Sequence, residues 1–142
     1  MRTQAIRSRE NPNLELIAFH GHFATRHSHN SHYLDITRLK HEYSLAHDTA
    51  LALANHYIYE KSIDTICMDG SEVIGAFLAR QLTQKILFSV NNNKSICVVT
   101  PEYDSNGQLL FRENLVPMIH GRNMLLLIST VNSGKTARRA LD

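Results

Sequence analysis

Apolar residues fall into runs divided by polar stretches, and the spacing inside each run assigns an element. Residues 124 to 128 are five apolar residues in a row, followed by small polar residues and then Ala137-Arg138-Arg139-Ala140-Leu141. That pattern predicts a buried parallel strand, a tight turn and the start of a helix. Residues 63 to 68 predict another strand, ending at Asp69-Gly70-Ser71-Glu72. A helix follows, capped by Ser71, with Ile74, Phe77, Leu78 and Leu82 on its buried stripe. Ala46, Ala50, Leu53, Ala54, Tyr57 and Ile58 recur at helical spacing and predict a helix over 44–60, with Ser44 as cap and Asp48 near its positive end. Residues 86 to 90 and 95 to 99 predict two further strands joined by an asparagine-rich turn at 91–94. Residues 100 to 107 break the pattern and predict a projecting loop, 108 to 112 a short strand, and 113 to 122 a connection through Pro117 and Gly121.

The first 13 residues are polar and without period, which predicts a mobile or partner-embracing arm closed by Asn11-Pro12-Asn13. Leu14, Leu16, Ile17 and Phe19 form a short apolar patch of either type. The chain therefore divides into an arm and lead-in, 1–19, and an α/β domain, 20–142. Strands alternating with helices predict a mainly parallel sheet with helices on both faces and a binding crevice at the strand carboxyl ends.

Composition narrows this picture without changing it. The 142 residues, 43% hydrophobic, suffice for one core. The longest apolar run falls far short of the roughly 20 residues that cross a bilayer, so a cytoplasmic protein without a membrane partner is expected. A net charge of +2 is too small to argue for nucleic acid, although Arg2, Arg7 and Arg9 make the arm basic. Cys67 and Cys97 both fall in expected buried strands and are read as reduced core residues.

Three stretches carry candidate chemistry. In Asn132-Ser133-Gly134-Lys135-Thr136, backbone amides at a helix start, a glycine allowing close approach, and two hydroxyls form a phosphate site. The ATP-binding P-loop requires a second glycine five residues before Gly134, where Ser129 stands. Residues 20 to 35 hold five of the nine histidines. The spacings His20-x-His22 and His27-x-His29 suit zinc or nickel if they lie on a strand. A polar loop in which the histidines make ordinary hydrogen bonds is the favoured reading of the same residues over a metal site. Asp69 and Glu72 make the turn after residues 63–68 an unusual cradle for an anion unless magnesium intervenes, and otherwise serve as cap and surface charge.

The order of these motifs resembles orotate phosphoribosyltransferases of the type I phosphoribosyltransferase family, from about residue 20 onward. Residues 124 to 136 resemble the phosphoribosyl-diphosphate (PRPP) motif, an apolar strand leading to a small polar loop. Ile128 and Ser129 occupy the places of that motif's acidic pair. Gly21-His22-Phe23, Ser31, Tyr33 and Asp35 resemble the segment that hoods the base. The family's flexible catalytic loop falls at 100–107, where Glu102 and Gly107 agree with it. Thr100, Pro101, Asp104 and Asn106 replace its four basic residues.

The resemblance implies transfer of ribose 5-phosphate from PRPP to a pyrimidine or related base, with magnesium, in a homodimer. Asn132, Ser133, Gly134, Lys135 and Thr136 would hold the 5-phosphate, and Asp69, Gly70, Ser71 and Glu72 the pyrophosphate. Phe23 and Tyr33 would face the base, core packing being their alternative role. A non-catalytic binder of PRPP or a nucleoside monophosphate is the alternative function. Orotate-type enzymes continue through another strand and helix, so the chain is expected to lack their C-terminal part.

Overall fold

The computed structural model describes residues 1–25, 28–57, 60, 62–87, 95–106, 108–131 and 134–141. The expected arm is a strand. β1 (Arg2–Arg7) pairs antiparallel with β2 (Glu15–Ala24), which pairs with β3 (His29–Asp35). Ladder bonds to β2 hold the exposed β1 despite its few apolar residues, and Arg7 meets its register partner Glu15 at 2.8 Å. Asn11 makes the expected turn: its side chain accepts from the Asn13 amide and its carbonyl from the Leu14 amide, placing Leu14 in the core. The apolar patch at 14–19 opens β2, which runs on through the histidines to Ala24. His20, His22, His29 and His32 thus lie on paired strands and not in a loop, and His27 lies outside the described residues. The β2–β3 register shifts between His20 and Phe23, a β-bulge.

After α1 (Thr37–His41), α2 (Tyr43–His56) begins at Glu42, which has extended backbone and no side-chain cap bond. Ser44 therefore lies inside the first turn and is not the cap. Glu42 instead accepts two bonds from Arg38, at 2.6 and 3.1 Å. Ala46, Ala50 and Ala54, spaced by one turn, are fully buried. Their small side chains let α2 lie close to its neighbour. Tyr57 packs on the same core, and Ile58 lies outside the described residues.

β4 (Thr65–Asp69) leads through Gly70 into α3 (Glu72–Leu87). Ser71 caps α3 as expected, its hydroxyl accepting from the Ile74 amide at 3.4 Å. The helix runs on through Ile86 and Leu87, so the strand expected at 86–90 is not formed there. A short apolar run fits either element, and here the helix propagates. Residues 88 to 90 and the turn expected at 91–94 lie outside the described residues.

β5 (Cys97–Val99) follows, then a hairpin of β6 (Glu102–Tyr103) and β7 (Leu109–Leu110), so the expected projecting loop is a paired ribbon. The Asp104 carboxylate shapes its turn by accepting from the amides of Asn106 and Gln108, both at 2.8 Å. A 3-10 turn and α4 (Val116–Ile119) lead to β8 (Met124–Ile128), and α5 (Lys135–Leu141) ends the described chain.

The second sheet is parallel and small, in the order β5-β4-β8. Its centre is β4, buried from Thr65 to Met68, whereas β8 is an edge strand with all five residues half-buried. Alternation sends Ile66 and Met68 to one face, where they meet Leu125, Leu127, Val98, the α2 alanines and Ile74, Leu78 and Leu82 of α3. Thr65, Cys67 and Asp69 face the other way. There the Thr65 hydroxyl donates to the Met118 carbonyl at the end of α4. Both cysteines are free, Cys67 buried and Cys97 half-buried.

The fold is mixed α/β, with the expected parallel sheet joined by a separate antiparallel one. Among the described residues no helix is long and apolar enough to cross a membrane.

Candidate functional site

Parallel strands deliver their following turns to the same end of a sheet. β4 and β8 pair in register from Thr65 with Met124 to Asp69 with Ile128, so the turns at Gly70 and Ser129 emerge side by side. A methyl group placed on Gly70 would lie 3.3 Å from the Ser129 hydroxyl. Gly70 has φ +100°, a conformation that side-chain-bearing residues rarely adopt, which is why glycine stands there. The same methyl would lie 3.0 Å from the Lys40 Nζ atom. An ammonium group from α1 thus sits against a turn whose own side chains, Asp69 and Glu72, are acidic. Composition gave no sign of it, because about 30 residues of sequence separate Lys40 from Gly70.

The two acids are engaged. Tyr103 donates its phenolic hydrogen to Asp69 Oδ2 at 2.7 Å, and Thr100 its hydroxyl to Glu72 Oε1 at 2.8 Å. Burial first, then the hydrogen bond to Asp69 and that residue's charge, push the Tyr103 phenol above its ordinary range. Burial, with a smaller contribution from Asp69, pushes the Cys67 thiol up to about 11, so it stays protonated and inert. One hydroxyl donor does not exhaust a carboxylate's acceptor capacity. Asp69 and Glu72 supply carboxylate oxygens, the ligand type that magnesium takes.

Glu102 is paired with Arg112 through both its Nε and Nη2, at 3.1 and 2.9 Å. Glu72, Thr100, Glu102 and Arg112 line a cleft of about 440 Å³ beside β5. Gly107 lies outside the described residues.

Of the expected phosphate loop, Asn132 and Ser133 lie outside the described residues. Gly134 has φ +77° and its carbonyl accepts from the Arg138 amide, so it stands where α5 begins. Lys135, exposed, and Thr136 form the first turn of α5. The Arg138 guanidinium lies beside Gly134, its Nε 3.9 Å from where a methyl on that glycine would sit, a second cation placed there by i,i+4 helical spacing. Arg139 donates to the Asn106 carbonyl and so ties α5 to the β6–β7 turn.

Phe23 and Tyr33 do come together, with ring centroids 5.8 Å apart, and Phe19 completes the group at 6.2 Å from Tyr33. Tyr33 also lines a cleft of about 380 Å³ with Asn30, Leu34, Thr130 and Val131. That cleft lies between β3 and the segment leaving β8. Tyr33 and Val131 remain 54% and 62% exposed, so its apolar walls are open to a ligand. Its volume falls in the range of roughly 300–1,000 Å³ typical of small-molecule sites. Phe23 touches Tyr33 but is not among the residues that line the cleft. The histidines pair across the hairpin, His20 with His32 and His22 with His29.

No profile of a known protein family matches the chain, and no curated protein matches it.

Proposed function

We propose that the chain is an orotate phosphoribosyltransferase-like protein that binds PRPP or a nucleoside monophosphate where β4 and β8 end. The observation that carries this is the cleft joining Tyr33 of the antiparallel hairpin to Thr130 and Val131, beside the paired turns at Gly70 and Ser129. A base packs on Tyr33, with Phe23 behind it. The sugar phosphate reaches toward residues 132 to 136. A diphosphate lies at residues 69 to 72, where Lys40 supplies the positive charge that the turn itself lacks.

In the transfer such a site would carry out, a base nitrogen bonds to the ribose C1 carbon while diphosphate leaves with the electron pair of the broken C–O bond. Catalysis then depends on neutralising the departing charge and holding the sugar. Removing one preorganised donor costs on the order of 3 kcal/mol, about a hundredfold in rate. Residues 100 to 110 contain no lysine or arginine, and Glu102 already occupies Arg112. Those two observations favour a second reading, a non-catalytic sensor of PRPP or nucleotide on the same layout.

One experiment separates the two. Calorimetry is run with PRPP plus magnesium and with a nucleoside monophosphate, beside an assay for pyrophosphate release with orotate. Binding with turnover supports the enzyme, and binding without turnover the sensor. Absence of both rejects the proposal. Gly134→Val is expected to abolish phosphate binding by straining the turn at the start of α5, since a β-branched residue cannot sit at φ +77° without strain, while circular dichroism checks that the rest of the fold is retained.

A further inference from the structure

The histidines of the β2–β3 hairpin are not used by this reading, and their geometry is specific. His22 Nε2 lies 3.0 Å from His29 Nδ1 across the hairpin, with ring centroids 5.0 Å apart. The ladder places both on one side. Phe23 pairs with Asn30 and Ala24 with His29, so His22 and Ala24, flanking Phe23, share the side of His29. Beside the pair the hairpin is closed by Thr25 and Ser28, whose backbone and hydroxyl groups exchange four hydrogen bonds of 2.7 to 3.1 Å. His22 itself sits in the bulge between His20 and Phe23, which re-aims its ring relative to a regular strand.

We propose that His22 and His29 form a two-imidazole chelate for a divalent transition-metal ion of the zinc type, stapling β2 to β3. Imidazole nitrogen is a preferred ligand for zinc, nickel and copper. An ion bound at about 2.0–2.1 Å by both nitrogens, with a bite of roughly 90–109°, needs them about 2.8–3.4 Å apart, which brackets the 3.0 Å found. In the metal-free hairpin one ring donates its hydrogen to the other. On binding, that ring carries its hydrogen on the opposite nitrogen, so that two lone pairs meet the ion. Among the described residues no third side chain joins them in a metal cluster. Water completes the shell, and affinity lies below that of a four-ligand structural site.

The staple has a consequence for the cleft. Asn30, Tyr33 and Leu34 of β3 form one of its walls, and an ion clamping His29 to β2 fixes the strand that carries them. The chelate itself stands on the histidine geometry and is independent of what the cleft binds.

The test uses the full chain, freed of metal by chelator and titrated with zinc chloride in a calorimeter without nucleotide. One ion per chain is expected. His22→Ala and His29→Ala are each expected to weaken binding at least tenfold, while the distant His120→Ala leaves it unchanged. Both side chains are exposed, so the variants are expected to fold, which circular dichroism checks. Nitrogen-15 imidazole spectra are expected to shift at His22 Nε2 and His29 Nδ1. Absence of saturable binding by the wild type, or equal affinity in wild type and both variants, overturns the proposal.

Discussion

The phenol of Tyr103 donates to the carboxylate of Asp69 at 2.7 Å, joining the β6–β7 hairpin to the carboxyl end of the central strand. The bond sets a neutral donor on a charged acceptor, a type worth about 1.5–3 kcal/mol when shielded and less where, as here, the groups meet solvent.

That bond predicts a specific alkaline response. Burial and Asp69 raise the folded-state pKa of Tyr103 above its ordinary 10.0. The folded chain therefore holds this proton more tightly than the unfolded one. The contribution is complete below about pH 10 and fades as the pH rises toward the folded value. Above about pH 10 the thermal midpoint of the wild type is expected to fall more steeply with pH than that of Tyr103→Phe. Parallel curves would show that the hydrogen bond contributes nothing.

Cys67 is expected to resist chemistry that Cys97 undergoes. Cys67 is fully buried with its thiol pushed up to about 11, by desolvation first and Asp69 second. Cys97 is half-buried on β5. Brief alkylation of the folded protein near pH 8.5, read by peptide mass spectrometry, is expected to label Cys97 and spare Cys67. Denaturant is expected to expose both. Early labelling of Cys67 in the native protein would contradict its place in the central strand.

Gly75 tests the seating of α3 on the sheet. A methyl there would lie 2.9 Å from Val98 Cγ1 and 3.3 Å from Met68 Cβ. Alanine gains about 1 kcal/mol of helix propensity over glycine, but overpacking a filled core costs about 1–3 kcal/mol. At 2.9 Å either Val98 or the helix must shift, and with Met68 Cβ at 3.3 Å and the short, β-branched Val98 side chain giving little room, the steric term wins. Gly75→Ala is expected to lower the urea midpoint with little change in slope. A raised midpoint would mean that α3 stands further from the sheet than this contact requires.

What the sequence disclosed, and what it hid, follows from the range of the interactions involved. β4, the Ser71 cap and β8 were legible because an apolar run and a capping residue act within a few positions. β1 was read as an arm because its apolar content is slight, and its stability comes from a partner strand whose register begins at Glu15. The extension of α3 through Leu87 was hidden by an apolar run that suits strand or helix equally. At the candidate site, Tyr33 and residues 69 to 72 were named from sequence. Lys40 and Tyr103 were not, because only the tertiary fold brings them to those turns, and Arg138 was passed over although it lies one helical turn beyond Gly134. The histidines were left between loop and strand, since histidine favours neither strongly and the cross-strand register alone decides which rings meet.

The central claim is that one ligand spans the antiparallel hairpin and the ends of β4 and β8. It is tested most directly by recording backbone and methyl NMR spectra while a nucleoside monophosphate, and separately PRPP with magnesium, is added. Saturable shifts are expected at Tyr33, Gly70, Ser129, Thr130, Val131 and Gly134, with none at distant Ala5 or Met118. Unchanged spectra at millimolar ligand, or shifts confined to residues away from both turns, would contradict it.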